Sequence, residues 1–93
     1  MKDFELHAPE TAPEAARPIL DDVERKFGFL ANLTRVLAES PAALQGYLEI
    51  ADVFAGSSLA PAEQQVVLLA TSVRNGCTYC VPAHSALALQ AGL

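Results

Sequence analysis

The sequence predicts an all-α chain, and three observations carry that expectation. Apolar residues recur at three- and four-residue spacing in successive windows, no segment alternates cleanly between apolar and polar, and proline or glycine stands where the pattern changes. At 93 residues the chain is one small domain. A chain of that size buries somewhat over ~60% of the surface its unfolded form exposes, so its core is marginal without help.

Residues 1–12 have no clear period and contain Pro9, which predicts an extended N-terminal arm before a helical domain over 13–93. A first helix is expected from about Pro13 to Phe27. Ile19, Leu20, Val23 and Phe27 form its apolar face, Asp21, Asp22, Glu24 and Arg25 its wet face, and Gly28 its C-cap. A shorter helix around Leu30–Glu39 carries Leu33, Val36 and Leu37 on one side. Ser40-Pro41 is the next start signal, a capping residue followed by proline at the first helical position. That helix is expected to turn Leu44, Tyr47, Leu48, Ala51 and Phe54 inward and to stop near Gly56.

After the turn Ser57–Ala60, Pro61 opens a further helix with Glu63 in its first turn, where the helix dipole favours an acid. Val66 to Ala70 are all apolar, so this helix is expected to be the buried centre of the fold or to lie in a subunit interface. Asn75-Gly76 breaks the pattern. A last helix begins near Cys77 or Thr78 and runs to Gln90 or Ala91, with Pro82 tolerable only in its first turn.

Composition narrows the function classes. Eleven acidic residues against six basic ones give a net charge of −5, which disfavours binding to nucleic acid or to an anionic membrane. No run of ~18 apolar residues is present to span a membrane. Met1–Glu5 lacks the apolar segment of a signal peptide, so a cytoplasmic, reducing location is expected. There, a pair of cysteines three residues apart is more often catalytic or metal-binding than a structural staple.

Both cysteines of the chain lie in Cys77-Thr78-Tyr79-Cys80-Val81-Pro82-Ala83-His84. Two thiols at this spacing can close a disulfide. On a helix, Cys80 and His84 are neighbours on one face, so the imidazole can raise the thiolate fraction of Cys80 directly or through one water. The helix N-terminus would stabilise negative charge on either sulfur. Two assignments of the attacking thiol stand open: thioredoxin-like sites use the first cysteine, whereas the histidine spacing favours Cys80 with Cys77 resolving. A peroxide would oxidise Cys80 to a sulfenic acid, Cys77 would condense with it, and a thiol reductant would reopen the disulfide.

Competing readings are weaker. Two small buried hydrophobes beside a capping histidine would not require the only two cysteines to be paired in register with an imidazole. Zinc would need a fourth ligand, and His7 is far away in sequence. Neither metal nor cofactor is therefore expected. Tyr79 is expected to pack, His7 to be solvated in the arm, and Arg35 and Arg74 to be ordinary surface cations.

The segment from Pro61-Ala62-Glu63-Gln64-Gln65-Val66-Val67 through Asn75-Gly76-Cys77-Thr78-Tyr79-Cys80 to His84-Ser85 resembles the alkylhydroperoxidase D-like branch of the carboxymuconolactone decarboxylase family. Thr11-Ala12-Pro13, Phe27-Gly28, Asn32-Leu33 and Ser40-Pro41-Ala42-Ala43-Leu44 are similar to its peroxidase-related subgroup, so the resemblance covers nearly the whole chain. It implies a small helical domain that forms homo-oligomers and reduces hydroperoxides through its two cysteines. Cys80 would be peroxidatic, Cys77 resolving and His84 part of a proton relay. A dihydrolipoyl-type or thioredoxin-like dithiol would be the reductant. Lactone decarboxylation is not implied, because decarboxylases of the wider family lack this thiol pair.

Two positions depart from the family pattern. The relay glutamate is expected twelve residues before the first cysteine, and that position is Gln65 here, whose amide cannot accept a proton. Glu63 lies two residues earlier, ~200° around the helix, and reads better as an acid at a helix N-terminus than as a substitute. Three alternatives stand open: a weaker relay, Gln65 orienting a water, or a carboxylate such as Glu49 or Asp52 entering from elsewhere. The chain also ends at Ala91-Gly92-Leu93, where family members continue with further helices. An incomplete domain, or a subunit whose exposed faces partners cover, is expected. The alternative to an enzyme is a redox-responsive oligomerisation or interaction module without efficient turnover.

Overall fold

A computed structural model of the chain describes residues 4–93. Among the described residues the regular structure is entirely helical. A 3-10 turn over Glu14–Ala16 precedes α1 (Arg17–Phe27), α2 (Asn32–Leu37), α3 (Pro41–Ala55), α4 (Pro61–Arg74) and α5 (Cys80–Gln90). The expected all-α class is therefore observed, and among these residues no helix is long and apolar enough to cross a membrane. The chain divides into two units, Met1–Ala51 and Asp52–Leu93, with the boundary inside α3.

The first unit is organised around a small cluster of Ala12, Ala16, Leu20, Ala38 and Leu44, against which Ile19, Leu30, Leu37 and Leu48 pack. Leu20 and Leu44 are its two large, fully buried side chains. Each contributes about 1.5–3 kcal/mol by leaving water. Local chemistry sets the helix ends. Gly28, at φ 83°, takes the left-handed conformation that closes α1, and its N–H donates to the Glu24 carbonyl at 2.7 Å. Ser40 accepts the Ala43 N–H on its hydroxyl at 3.2 Å and so caps α3. Between them α2 is shorter than the expected Leu30–Glu39, because tight turns at Glu39 and Ser40, bonded to the carbonyls of Val36 and Leu37, close it early.

Three expectations for this unit are corrected. Phe27 is 66% exposed rather than part of the buried face. It lies ~10 Å further along the axis than Leu20, past the cluster. Of the α3 residues expected to face inward, Leu44 is buried and Leu48 and Phe54 are half-buried, while Tyr47 and Ala51 are exposed. His7 is 5% exposed rather than solvated. Its ring lies between the carboxylates of Glu39 and Glu5, with Thr11 Oγ1 also 3.2 Å from Nδ1. Arg35 of α2 donates from Nε to the His7 carbonyl at 2.8 Å, and its second guanidinium donor reaches the Leu6 carbonyl at 3.0 Å. These bonds fasten Leu6 and His7 to α2.

In the second unit α4 and α5 pack against one another as a helical hairpin. Gln64 is buried, and its side-chain amide donates to the carbonyls of Ala55 and Leu59 at 3.1 and 3.0 Å, satisfying acceptors at the end of α3 and in the loop after it. Of the two expectations for α4, that of a helix buried at the centre of the chain is corrected: Val66, Val67 and Val73 are 49%, 43% and 64% exposed. A hairpin offers each helix one covered face, and in α4 the buried side chains are Gln64 and Ser72.

Candidate functional site

The path of the chain between α4 and α5 places the two cysteines. α4 ends at Arg74 with Asn75 as its C-cap, and Gly76 follows at φ 66°. The Gly76 N–H bonds to the Val73 carbonyl at 3.1 Å and the Cys77 N–H to the Ser72 carbonyl at 3.0 Å, the paired bonds of a Schellman motif. Ser72 is buried and donates its hydroxyl to the Leu68 carbonyl at 2.6 Å. Cys77 is thus anchored through its backbone to the last turn of α4.

Thr78 and Tyr79 then turn the chain, and α5 begins at Cys80, within a turn of the expected start. Pro82 occupies the third position of α5, where a backbone N–H has no intrahelical acceptor, so its missing donor costs nothing. The Cα atoms of Cys77 and Cys80 are 5.3 Å apart and their sulfurs form a disulfide. The separation is ordinary for a disulfide. The backbone N–H of Cys80 donates to Cys77 Sγ at 3.0 Å, so the first sulfur sits at the N-terminus of α5 and takes one of its unsatisfied donors.

His84 follows Cys80 by one helical turn and is half-buried. Its Nδ1 lies 2.9 Å from Gln65 Oε1 on α4. A carbonyl oxygen accepts only, so in the neutral ring this bond places the proton on Nδ1 and leaves Nε2 as an acceptor. Gln65 and His84, nineteen residues apart, are therefore brought together across the hairpin. Glu63 is engaged elsewhere, since its Oε1 accepts the Ala60 N–H at 2.8 Å, half of a capping box at the start of α4. Of the other carboxylates considered, Glu49 accepts from Gln45 Nε2 on its own helix at 3.1 Å.

The arrangement joins a disulfide, a half-buried imidazole and an amide bonded to its Nδ1. Sequence reasoning missed two supporting residues, Gln64 and Ser72, which close the ends of the hairpin through buried hydrogen bonds. Polar residues inside an apolar helical run were the available signal. Among the described residues, no three of His, Cys, Asp and Glu cluster in a way that could hold a metal ion.

The profile of the carboxymuconolactone decarboxylase family matches residues 38–93, more than half of the chain and all of the hairpin. No curated protein matches the chain. The chain belongs to the carboxymuconolactone decarboxylase family.

Proposed function

We propose that this member of the carboxymuconolactone decarboxylase family is a thiol-dependent hydroperoxide reductase working through the Cys77–Cys80 couple. The observation that carries the reading is the disulfide at the N-terminus of α5, with His84 one turn beyond it and held by Gln65. In the reduced protein, His84 Nε2 takes the Cys80 proton, and the thiolate attacks the terminal peroxide oxygen. The O–O bond breaks, Cys80 becomes a sulfenic acid, and the alkoxide leaves as the alcohol with the proton His84 holds. Cys77 attacks the sulfenic sulfur, water departs, and the disulfide forms. A dithiol, dihydrolipoyl-type or thioredoxin-like, returns two electrons. Gln65 orients His84 and holds no proton itself, and Glu63 serves the helix end.

The exposed valines of α4, with Leu87 and Leu89 of α5 at 44% and 74% exposure, support a homo-oligomer. The proposed setting is the reducing cytoplasm, where a dithiol donor is at hand.

The experiment is hydroperoxide-dependent oxidation of a dithiol by the wild-type chain and by Cys80→Ser. Turnover that disappears with Cys80 supports the peroxidase; none in either protein removes it. A second reading, a redox-responsive module without efficient turnover, is favoured by one observation: the group bonded to His84 is a carboxamide and not a carboxylate. That reading expects a peroxide-driven disulfide with a change in assembly and no catalytic consumption of dithiol.

A further inference from the structure

We infer that an external thiol reopens the disulfide by attacking the sulfur of Cys80, and that Cys77 departs as the thiolate. The inference rests on the thiol-redox reading of the site and deepens it by assigning roles in the reductive half-reaction. Thiol–disulfide exchange is selective for the sulfur whose partner leaves more easily, and the better leaving group is the thiolate held more stably.

The surroundings of the two sulfurs differ. The Cys80 N–H already points at Cys77 Sγ from 3.0 Å. Cys80 is the first residue of an eleven-residue helix, so this N–H has no carbonyl within the helix to satisfy it. Toward a neutral disulfide sulfur the bond is weak; toward a departing thiolate it becomes charge-assisted, and the positive end of α5 adds to it. The Schellman bond from the Cys77 N–H to Ser72 holds the cysteine backbone to α4, independently of the disulfide. A thiolate departing from Cys80 would instead have His84 as its neighbour on the helix face. In the neutral ring the one N–H, on Nδ1, is engaged with Gln65 Oε1. Its other nitrogen is an acceptor and offers the leaving sulfur no proton.

In the exchange, one thiolate of a dithiol bonds to Cys80 Sγ, the Cys77–Cys80 bond breaks, and its electron pair leaves on Cys77 Sγ. The second thiol of the reductant loses its proton to water and attacks the reductant's own sulfur in the mixed disulfide. Cys80 is released as a thiolate, and the two protein sulfurs regain two protons. Two electrons have passed from the dithiol to the protein. The Cys80 sulfur is then the electrophile in both halves of the cycle, toward Cys77 after peroxide and toward the reductant afterwards.

The test uses the oxidised wild-type chain and 2-mercaptoethanol, a monothiol that cannot cyclise, so the mixed disulfide persists long enough to be trapped. The reaction is quenched in acid at early times, the freed thiol is blocked with a maleimide, and the peptides are mapped by mass. The expected result is mercaptoethanol on Cys80 and maleimide on Cys77, in about tenfold excess over the reverse product. Mercaptoethanol on Cys77, or an even division between the two, would overturn the inference. No peroxide is present, so a failed peroxidase reading would show separately, as absent hydroperoxide consumption with the selectivity intact.

Discussion

At the scale of one residue, the proposed reaction turns on Gln65. Its Oε1 holds the Nδ1–H of His84 at 2.9 Å, which fixes the orientation of the ring but supplies no proton sink. A carboxylate at the same place would accept the same bond and also stabilise the imidazolium. Gln65→Glu is therefore expected to raise kcat/KM for a hydroperoxide by roughly tenfold to a hundredfold, part of the range of general acid–base catalysis. Gln65→Leu, which loses the orienting bond, is expected to lower it by about tenfold. Steady-state dithiol oxidation decides this, and equal rates for Gln, Glu and Leu would show that the bond has no role in turnover. In the first unit the decisive residue is Leu20, fully buried among alanines. Leu20→Ala is expected to cost about 2–5 kcal/mol in urea unfolding, and a cost below about 1 kcal/mol would mean the cluster closes around the gap.

The hairpin of α4 and α5 depends on how its turn is built, and the turn depends on Gly76. An added Cβ there meets nothing within 4 Å, so the cost of a side chain is purely that of holding φ at 66°. Gly76→Ala is expected to destabilise the reduced protein by about 1–2 kcal/mol and to slow disulfide closure; unchanged unfolding would contradict the Schellman assignment. On α1 the Asp22 carboxyl is held below its usual value by the hydrogen bond from Arg25 and then by that from Lys26. Its folded value is lower than its unfolded one, so its contribution is present above the ordinary carboxylate range and fades as pH falls through the lowered value. The pair is solvent-exposed, so the effect is small. Asp22→Asn should flatten the acid limb of thermal melts slightly and lose its effect in high salt. These ends were legible in the sequence because Gly28, Ser40, Pro61 and Gly76 act on their own neighbours. The burial of His7 was not legible. It depends on Glu39 and Arg35, about thirty positions away, and no local pattern encodes that pairing.

For the molecule as a whole, the same contrast separates what the sequence carried from what it did not. The thiol pair and its histidine were legible from their spacing, with Cys80 and His84 on one helix and Cys77 in the turn before it, and the Gln65 position followed from family resemblance. The exposure of α4 did not follow from its apolar run, because hydrophobicity marks a surface to be covered without saying whether this chain or another copy covers it. Val66, Val67 and Val73 on α4 and Leu87 and Leu89 on α5 stay open within the chain. Sedimentation of the purified protein is expected to show an assembly larger than a monomer, and a single monomeric species would contradict the proposed homo-oligomer. Whether peroxide drives the Cys77–Cys80 couple is decided by the intact mass of the reduced protein before and after one equivalent of an organic hydroperoxide. A loss of two hydrogens in the wild type, replaced in Cys77→Ser by a gain of one oxygen on Cys80, is the result expected. An unchanged wild-type mass would contradict the peroxidase reading.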